Sequence, residues 1–597
     1  MNYIYDDTGG FWRKSTVAPF AYSDGDAVEQ TLLQIVSTAS DRSVLSQELG
    51  QKIHDWPTMY HLHPNRSNLL RPHEKILQNA SVLELGGGCG ALTRYLGETC
   101  ARVTMVEGSP RRSAIAAARC RGLENVSIYN DTIMDVVLPE ISFDVVTLIG
   151  VLEYARVYDA ISDDPVQAML ERAYSLVSPG GVLILAFENQ LGLKYFAGVP
   201  EDHYNIPMYG INDSYATDGI VTFGRSESLS RLRMAGFTDV VEFLPFPDYK
   251  LPVLVVHPSA KEMSAETFNL GALVSECTQK IHVPHNFSLE NAWGVVCRNG
   301  LLWDLSNSFC FLATKQQAQP PAQNELAKEN VLASHYSTSR RACFAKQTSF
   351  IKEGDDIFVH RRPLSECSPF GQPRQIANSY PEKEYYRAYS KGSDALYAIL
   401  NKREWAAKDI AAWTRPLLKY WSKYVFLQQG KPMLPGSMMD CIARNMLMDE
   451  AGGITLIDQE WKDEEGVFPL AFLVAYNLLV SLSDIGDVEV PSGKTPLGIW
   501  MLSLAVMQEL RLDFSDQDKK AFFAWLDRFH EEATGNLHAS KVYRANTLAV
   551  RYSGAELAKY IQAQERKIAS LNAGISALEK ERDALQKVFD KYTSQIK

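Results

Sequence analysis

The stretch Ser81-Val-Leu-Glu-Leu-Gly-Gly-Gly-Cys-Gly90 decides the fold. SVLEL is a short apolar run that ends in glycines, and ALTRYLGE follows with helical character, so the segment predicts a strand, a tight turn and a helix. Glycines at 86, 88 and 90 let the backbone turn sharply and approach a ligand where a Cβ would clash. A second β-rich run, RVTMVE, ends at Glu107, 21 residues after Gly86. An acid at that place accepts hydrogen bonds from both hydroxyls of a ribose.

The same rhythm continues outward. NVSIYN, FDVVTLIG and GVLILAF alternate with helical stretches, the pattern of a parallel sheet covered by helices, and DVVEFLPFPDYKLPVLVV closes it as an antiparallel β-pair. The unit spans residues 79–258. A dinucleotide site also carries an acid about 20 residues after its first glycine, so the glycines alone do not choose the ligand. Two features turn the reading away from a dinucleotide. The spacing is E-x-G-x-G-x-G, and Glu84 would repel a pyrophosphate but suits a cationic amino-acid ligand.

Together these motifs resemble class I S-adenosylmethionine-dependent methyltransferases, which implies an α/β, Rossmann-like fold with a parallel sheet and an antiparallel last strand. The resemblance implies cofactor contacts at Glu84, Gly86, Gly88, Gly90, Glu107, Asn130 and Asp131, the last two ending the third strand against the adenine amino group. Phe143–Tyr154 matches the fourth strand and its loop, and Ser178–Gly181 the turn before the fifth. A sulfonium methyl is already activated, so catalysis needs mainly alignment and exclusion of water. A sugar hydroxyl also needs a general base, whereas a phosphate or carboxylate does not. Glu153, Glu188 and His203 are candidate bases or acceptor contacts, Glu188 and His203 foremost, and Arg225 is a candidate anion contact. The stretches HLHPNRSNLLRP, FENQLGLKYFAG and PEDHYNIP are similar to methyltransferases of bacterial surface-polysaccharide (O-antigen) gene clusters, which implies a glycan or lipid-linked glycan acceptor.

A second constellation lies in Leu434-Pro-Gly-Ser-Met-Met-Asp-Cys-Ile-Ala-Arg-Asn445, followed by a hairpin (NMLM, DEAGG, ITLID) that ends at Asp458. The order and spacing resemble the catalytic and metal loops of protein kinases and small-molecule phosphotransferases. The resemblance implies Asp440 as base, Asn445 and Asp458 as magnesium ligands, and ATP with Mg2+ as cofactors. Met438-Met439 stand where that family keeps His-Arg, and no glycine-rich nucleotide loop is recognisable. Arg361 or Arg362 of IFVHRRPL replaces the phosphate-binding lysine, and Glu382 or Glu384 of YPEKEYYRAY offers a helix glutamate. ACFAKQTSF and DDIFVHRR read as strands of a small lobe. An α+β kinase-like domain over 259–545 follows, either a phosphotransferase or a pseudokinase scaffold.

From 553 to 597 a seven-residue register places apolar residues at ten of twelve seam positions, among them Leu557, Ile561, Leu571, Ile575 and Leu578. This predicts a C-terminal coiled coil and a homo-oligomer. Residues 1–78 read as a helical extension. The order of parts is similar to bifunctional methyltransferase–kinases that terminate O-antigen chains, which implies a membrane-associated polysaccharide synthesis complex as partner.

Composition bounds the rest. The 597 residues are 46% hydrophobic and 22% charged, which excludes disorder over most of the length. A net charge of −11 argues against a nucleic-acid partner. Nine cysteines without a C-x-x-C pair favour free thiols in a reducing compartment. The N-terminus lacks a signal-peptide core, and the longest apolar run, Phe468–Leu482, is too short to span a bilayer and reads as a buried helix. The expected location is the cytoplasm, with peripheral attachment to the inner face of the membrane left open.

Overall fold

A computed structural model describes residues 3–14, 23–139, 142–159, 161–278, 286–316, 330–365, 376–388, 390–449, 453–463, 466–536 and 539–552, with Gln562, Arg566, Leu571 and Arg582. Apart from those four, the coiled-coil stretch 553–597 lies outside the described residues, as does most of the QQAQPPAQNELAKEN segment.

The N-terminal extension is not purely helical. Tyr3–Asp6 (β1) and Phe11–Lys14 (β2) form an antiparallel hairpin. The signal is local: the Asp6 carboxylate accepts from the Thr8 and Gly9 N–H groups at 3.1 and 3.0 Å, and Gly10 takes a left-handed φ of +76°. Trp12 and Tyr3 pack on Tyr129, so the hairpin extends the main sheet rather than standing apart. The helix Asp26–Thr38 and a run of short helices from Trp56 to Leu77 follow.

The buried run Ser81–Leu85 forms β3, followed by Arg102–Glu107 (β4), Val126–Asn130 (β5), Phe143–Ile149 (β6) and Val177–Glu188 (β7). All five run parallel, in the order β5-β4-β3-β6-β7. Helices cover both faces, so these strands are apolar nearly throughout rather than alternating. Ser178–Gly181, expected as a turn, belongs to β7, where Gly180 at φ +80° accompanies a register shift. Asp239–Phe246 (β8) and Leu254–Val256 (β9) pair antiparallel as expected.

The antiparallel last strand, however, is Ser308–Thr314 (β10), which inserts between β7 and β8 and opposes both. The sheet unit therefore does not close at residue 258. The chain leaves it, builds helices such as Leu270–Glu276 and Leu289–Arg298, and returns to complete it.

β9 also pairs with Val331–Ser337 (β11), and the ladder continues through Lys346–Glu353 (β12) and Asp356–Pro363 (β13) to Lys383–Tyr385 (β15), while Ile376–Asn378 (β14) pairs with Trp461–Asp463 in a separate two-stranded sheet. One 14-stranded sheet thus joins the two halves. YPEKEYYRAY, read as a helix, contributes β15, because its partner is the sheet edge at β13. The remainder is α+β, with a separate apolar core built by helices Ala407–Trp421, Leu470–Ser483, Ile499–Glu509 and Asp516–Thr534. The apolar run at 468–482 is indeed a buried helix. Among the described residues no two cysteines are joined by a disulfide. Among the described residues no helix is long and apolar enough to cross a membrane.

Candidate functional site

A cavity of about 830 Å³ opens at the C-terminal ends of β3, β4 and β6, where open α/β sheets place their ligands. Gly86, Gly88 and Gly90 all take left-handed φ values, +76°, +56° and +81°. A Cβ at Gly86 would stand 2.5 Å from Val151, and one at Gly90 would stand 2.7 Å from the Ala116 backbone. A Cβ added at Gly88 would meet nothing within 4 Å, so there the left-handed φ, not the space, requires glycine.

The two expected acids meet this loop. Glu107 is buried, and its two oxygens accept from the Gly88 and Ser109 N–H groups at 2.9 and 2.8 Å. Burial pushes its pKa up, and these N–H groups oppose the shift. Each carboxylate oxygen keeps a second lone pair, and the side chain lines the cavity, so ribose hydroxyls can be accepted as well. Glu84 sits on β3 rather than in the loop, and burial raises its pKa to about 7 while Thr93 Oγ1 donates at 2.6 Å. Asp131 lines the cavity but already accepts from Tyr3 and pairs with Lys14 at 2.7 Å.

Asn130, expected against the adenine, does not line the cavity. Its Nδ2 donates to the Glu107 and Gly108 carbonyls at 2.8 and 2.9 Å, pinning the turn after β4. Arg225 is also not an open anion contact: it pairs with Glu242 and, at 3.4 Å, with Asp304.

Most of the aromatic part of the lining carries no motif that the sequence analysis recognises. Trp56, Tyr60, Arg66, Tyr154, Tyr158 and Tyr249 also line the cavity. Arg66 stacks over Tyr60 at 4.3 Å and donates to the Lys250 carbonyl at 2.9 Å. It lies within HLHPNRSNLLRP, so that segment marked the lining without revealing its shape.

His203 lines the cavity, and Glu153 and Glu188, both buried and outside its lining, come together with it, one ligand atom of each within 4.8 Å of the others. Glu188 is fully buried and paired with Lys250, which also holds Asp202 at 2.9 Å. Burial raises the Glu188 pKa, but Lys250 and its neighbours bring it below the ordinary value. Burial and then the Glu188 charge push Glu153 well above its ordinary value. His203 Nδ1 faces Glu201 Oε1 at 3.0 Å, which leaves Nε2 as its other face. Burial works against a charged His203, yet Glu201 keeps its pKa raised.

A second cavity, of about 300 Å³, lies between the β11–β13 sheet and the hairpin after Asn445. Asn445 Nδ2 donates to the Asp440 carbonyl and Oδ1, both at 3.0 Å, so the expected pair is in contact. Asp440 Oδ2 accepts from the Glu460 and Trp461 N–H groups, so this carboxylate ties two loops together and gives up a bond if it acts as a base. Its pKa is pushed up to about 7 by burial. Asp458 takes a left-handed φ of +48° and faces Lys346 at 2.9 Å and Arg361 at 3.3 Å. Burial would raise its pKa, but Lys346 and Arg361 hold it below the usual carboxylate range. The buried lysine is thus Lys346 on β12, with Arg361 beside it, while Arg362 points away to Glu74. Glu384 pairs with Arg361, but from a strand.

Residues 83–183 match a family model described as a methyltransferase domain. With the glycine turn, the acid on the neighbouring strand and the sheet order, this stretch is a class I methyltransferase domain. The chain is 33% identical over 104 residues to demethylmenaquinone methyltransferases of two Tropheryma whipplei strains, Twist and TW08/27. The match covers 17% of this chain, and it spans 40% of the length of those relatives. Among solved structures it is similar to the N-methyltransferase NodS of Bradyrhizobium japonicum (13% identity, 42% of this chain, 94% of that one, TM-score 0.25). It is similar also to phosphoethanolamine N-methyltransferase 2 of Haemonchus contortus (17% identity, 42% and 53%, TM-score 0.26).

Proposed function

We propose that the chain is an S-adenosylmethionine-dependent methyltransferase that modifies a cell-surface polysaccharide or its lipid-linked precursor at the cytoplasmic side of the membrane. The observation that carries the first half is the open cavity where Glu107 and the Gly86–Gly88 turn converge. When bound, S-adenosylmethionine supplies an electrophilic methyl group. The chain's own residues do the rest: Glu107 accepts from ribose hydroxyls, Glu84 faces the amino-acid end, and the glycine turn admits the nucleoside closely.

Support for a glycan acceptor comes from the aromatic wall. Tyr60, Tyr154, Tyr158 and Tyr249 offer flat apolar faces with polar tips, which suit the faces and hydroxyls of sugar rings. The net balance of charge around Glu153 and Glu188 favours a neutral hydroxyl over a phosphate. Incubation of the protein with methyl-labelled S-adenosylmethionine and lipid-linked glycan from a polysaccharide-producing bacterium tests this. Label in the glycan fraction, lost in Glu107→Ala, is expected; label only in protein or small molecules overturns the acceptor class.

One observation favours a second activity. Lys346, Arg361 and Asp458 meet in the second cavity beside the Asp440–Asn445 pair. Asn445 and Asp458 would hold magnesium, and Lys346 and Arg361 the phosphates of ATP, in a phosphotransferase-like site. A magnesium-dependent melting shift with an ATP analogue, lost in Asp458→Ala, is the expected result; no shift leaves a scaffold. The coiled coil would join several copies at a membrane-associated glycan-assembly complex.

A further inference from the structure

Glu153 is 1% exposed, and neither of its carboxylate oxygens has a hydrogen-bond partner among the described residues. Glu188, fully buried, stands beside it, and His203 completes the group within 4.8 Å. Two carboxylates this close and this dry need a positive charge or a proton between them. Lys250 supplies a charge to Glu188 but is shared with Asp202, and Lys194 pairs with Asp202 at 2.6 Å. Four acids, Glu153, Glu188, Glu201 and Asp202, therefore face two lysines. One divalent cation with a neutral His203 balances them; so does one proton on Glu153 with a charged His203.

We propose that Glu153, Glu188 and His203 form a divalent-cation site beside the cofactor cavity, with His203 on the cavity wall and the two buried acids next to it. Each ligand comes from a separate segment: the turn after β6, the end of β7, and the loop beyond it. Two carboxylates and one imidazole are a donor set for manganese, magnesium or zinc, and a substrate oxygen would reach the cation from the cavity past His203. His203 is oriented by Glu201, the outer carboxylate that such ligands commonly have. The inference rests on the methyltransferase reading for its purpose. An acceptor hydroxyl touching the cation loses its proton to solvent more readily. Its oxygen then forms the new C–O bond to the methyl as the C–S bond breaks, and the electron pair remains on sulfur. On this account Glu188 and His203 are ligands rather than bases, which explains why one is already paired with Lys250 and the other aimed by Glu201.

The test uses full-length protein carrying Asp458→Asn, which silences the second cavity, stripped with a chelator and titrated with Mn2+ under electron paramagnetic resonance. S-adenosylhomocysteine affinity is measured in parallel to report on folding and on the methyltransferase reading separately. One Mn2+ per chain is expected, weakened at least about tenfold by Glu153→Gln with S-adenosylhomocysteine binding kept. Should Glu153→Gln lose S-adenosylhomocysteine binding as well, His203→Ala is read in its place. No Mn2+ binding, or binding indifferent to the variant that keeps S-adenosylhomocysteine, leaves a shared proton only and overturns the cation site.

Discussion

The Gly88 N–H donates to Glu107 Oε2 at 2.9 Å, so the glycine turn of one strand is fastened to the acid at the end of the next. Neither end works alone. The turn needs a left-handed residue at 88, and the buried carboxylate needs donors to stay ionised beside a nucleoside.

Gly90→Ala should destabilise the domain. The new Cβ meets backbone at 2.7 Å in a residue with φ of +81°. Backbone strain of this kind costs about 1–3 kcal/mol, and the packed Ala116 backbone cannot yield cheaply. A fall in the urea midpoint at unchanged slope measures it.

Glu84 gives a pH signature. Its folded pKa is raised to about 7 from 4.5, so the native state holds an extra proton between those values. Stability from this group is full below pH 4.5 and declines as pH rises to 7, by on the order of 3 kcal/mol. In Glu84→Gln that component of the decline should vanish from paired urea titrations at pH 5 and 7.5. A ligand ammonium beside Glu84 reverses the preference. S-adenosylhomocysteine affinity should therefore rise through pH 7 in the wild type and stay flat in Glu84→Gln.

Lys346 is 1% exposed and faces Asp458 at 2.9 Å and Glu460 at 2.8 Å. Removing one member of a buried ion group costs about 3 kcal/mol, because the others stay buried. Lys346→Met should lower the melting temperature and abolish any ATP-analogue shift, while leaving S-adenosylhomocysteine binding intact.

Tyr154→Ala and Trp56→Ala should raise the KM for the acceptor without changing S-adenosylhomocysteine affinity, since both belong to the aromatic lining proposed to hold the acceptor. Steady-state kinetics with the labelled glycan read this directly.

The first sheet was legible because its signals are local. SVLEL, RVTMVE and the glycines declare strand, turn and partner within a few dozen residues. β10 was not, since SFCFLAT reads as a strand but carries no mark of which sheet it joins. The pairing is decided by packing across more than a hundred residues. The hairpin at Tyr3–Lys14 had a turn signal, D-D-T-G-G, that was overlooked. Lys346 lay in a strand that was recognised, but the lysine was sought one strand later. Asn130 carried the right side chain at the right place, yet its amide is consumed by two carbonyls that only the folded turn presents.

The most direct measurement is calorimetric titration of the full chain with S-adenosylhomocysteine, wild type against Glu107→Ala. Saturable one-to-one binding, weakened about 30-fold or more in the variant, is predicted, a loss of about 2 kcal/mol. Absent binding in the folded wild type, or equal binding by both proteins, contradicts the account.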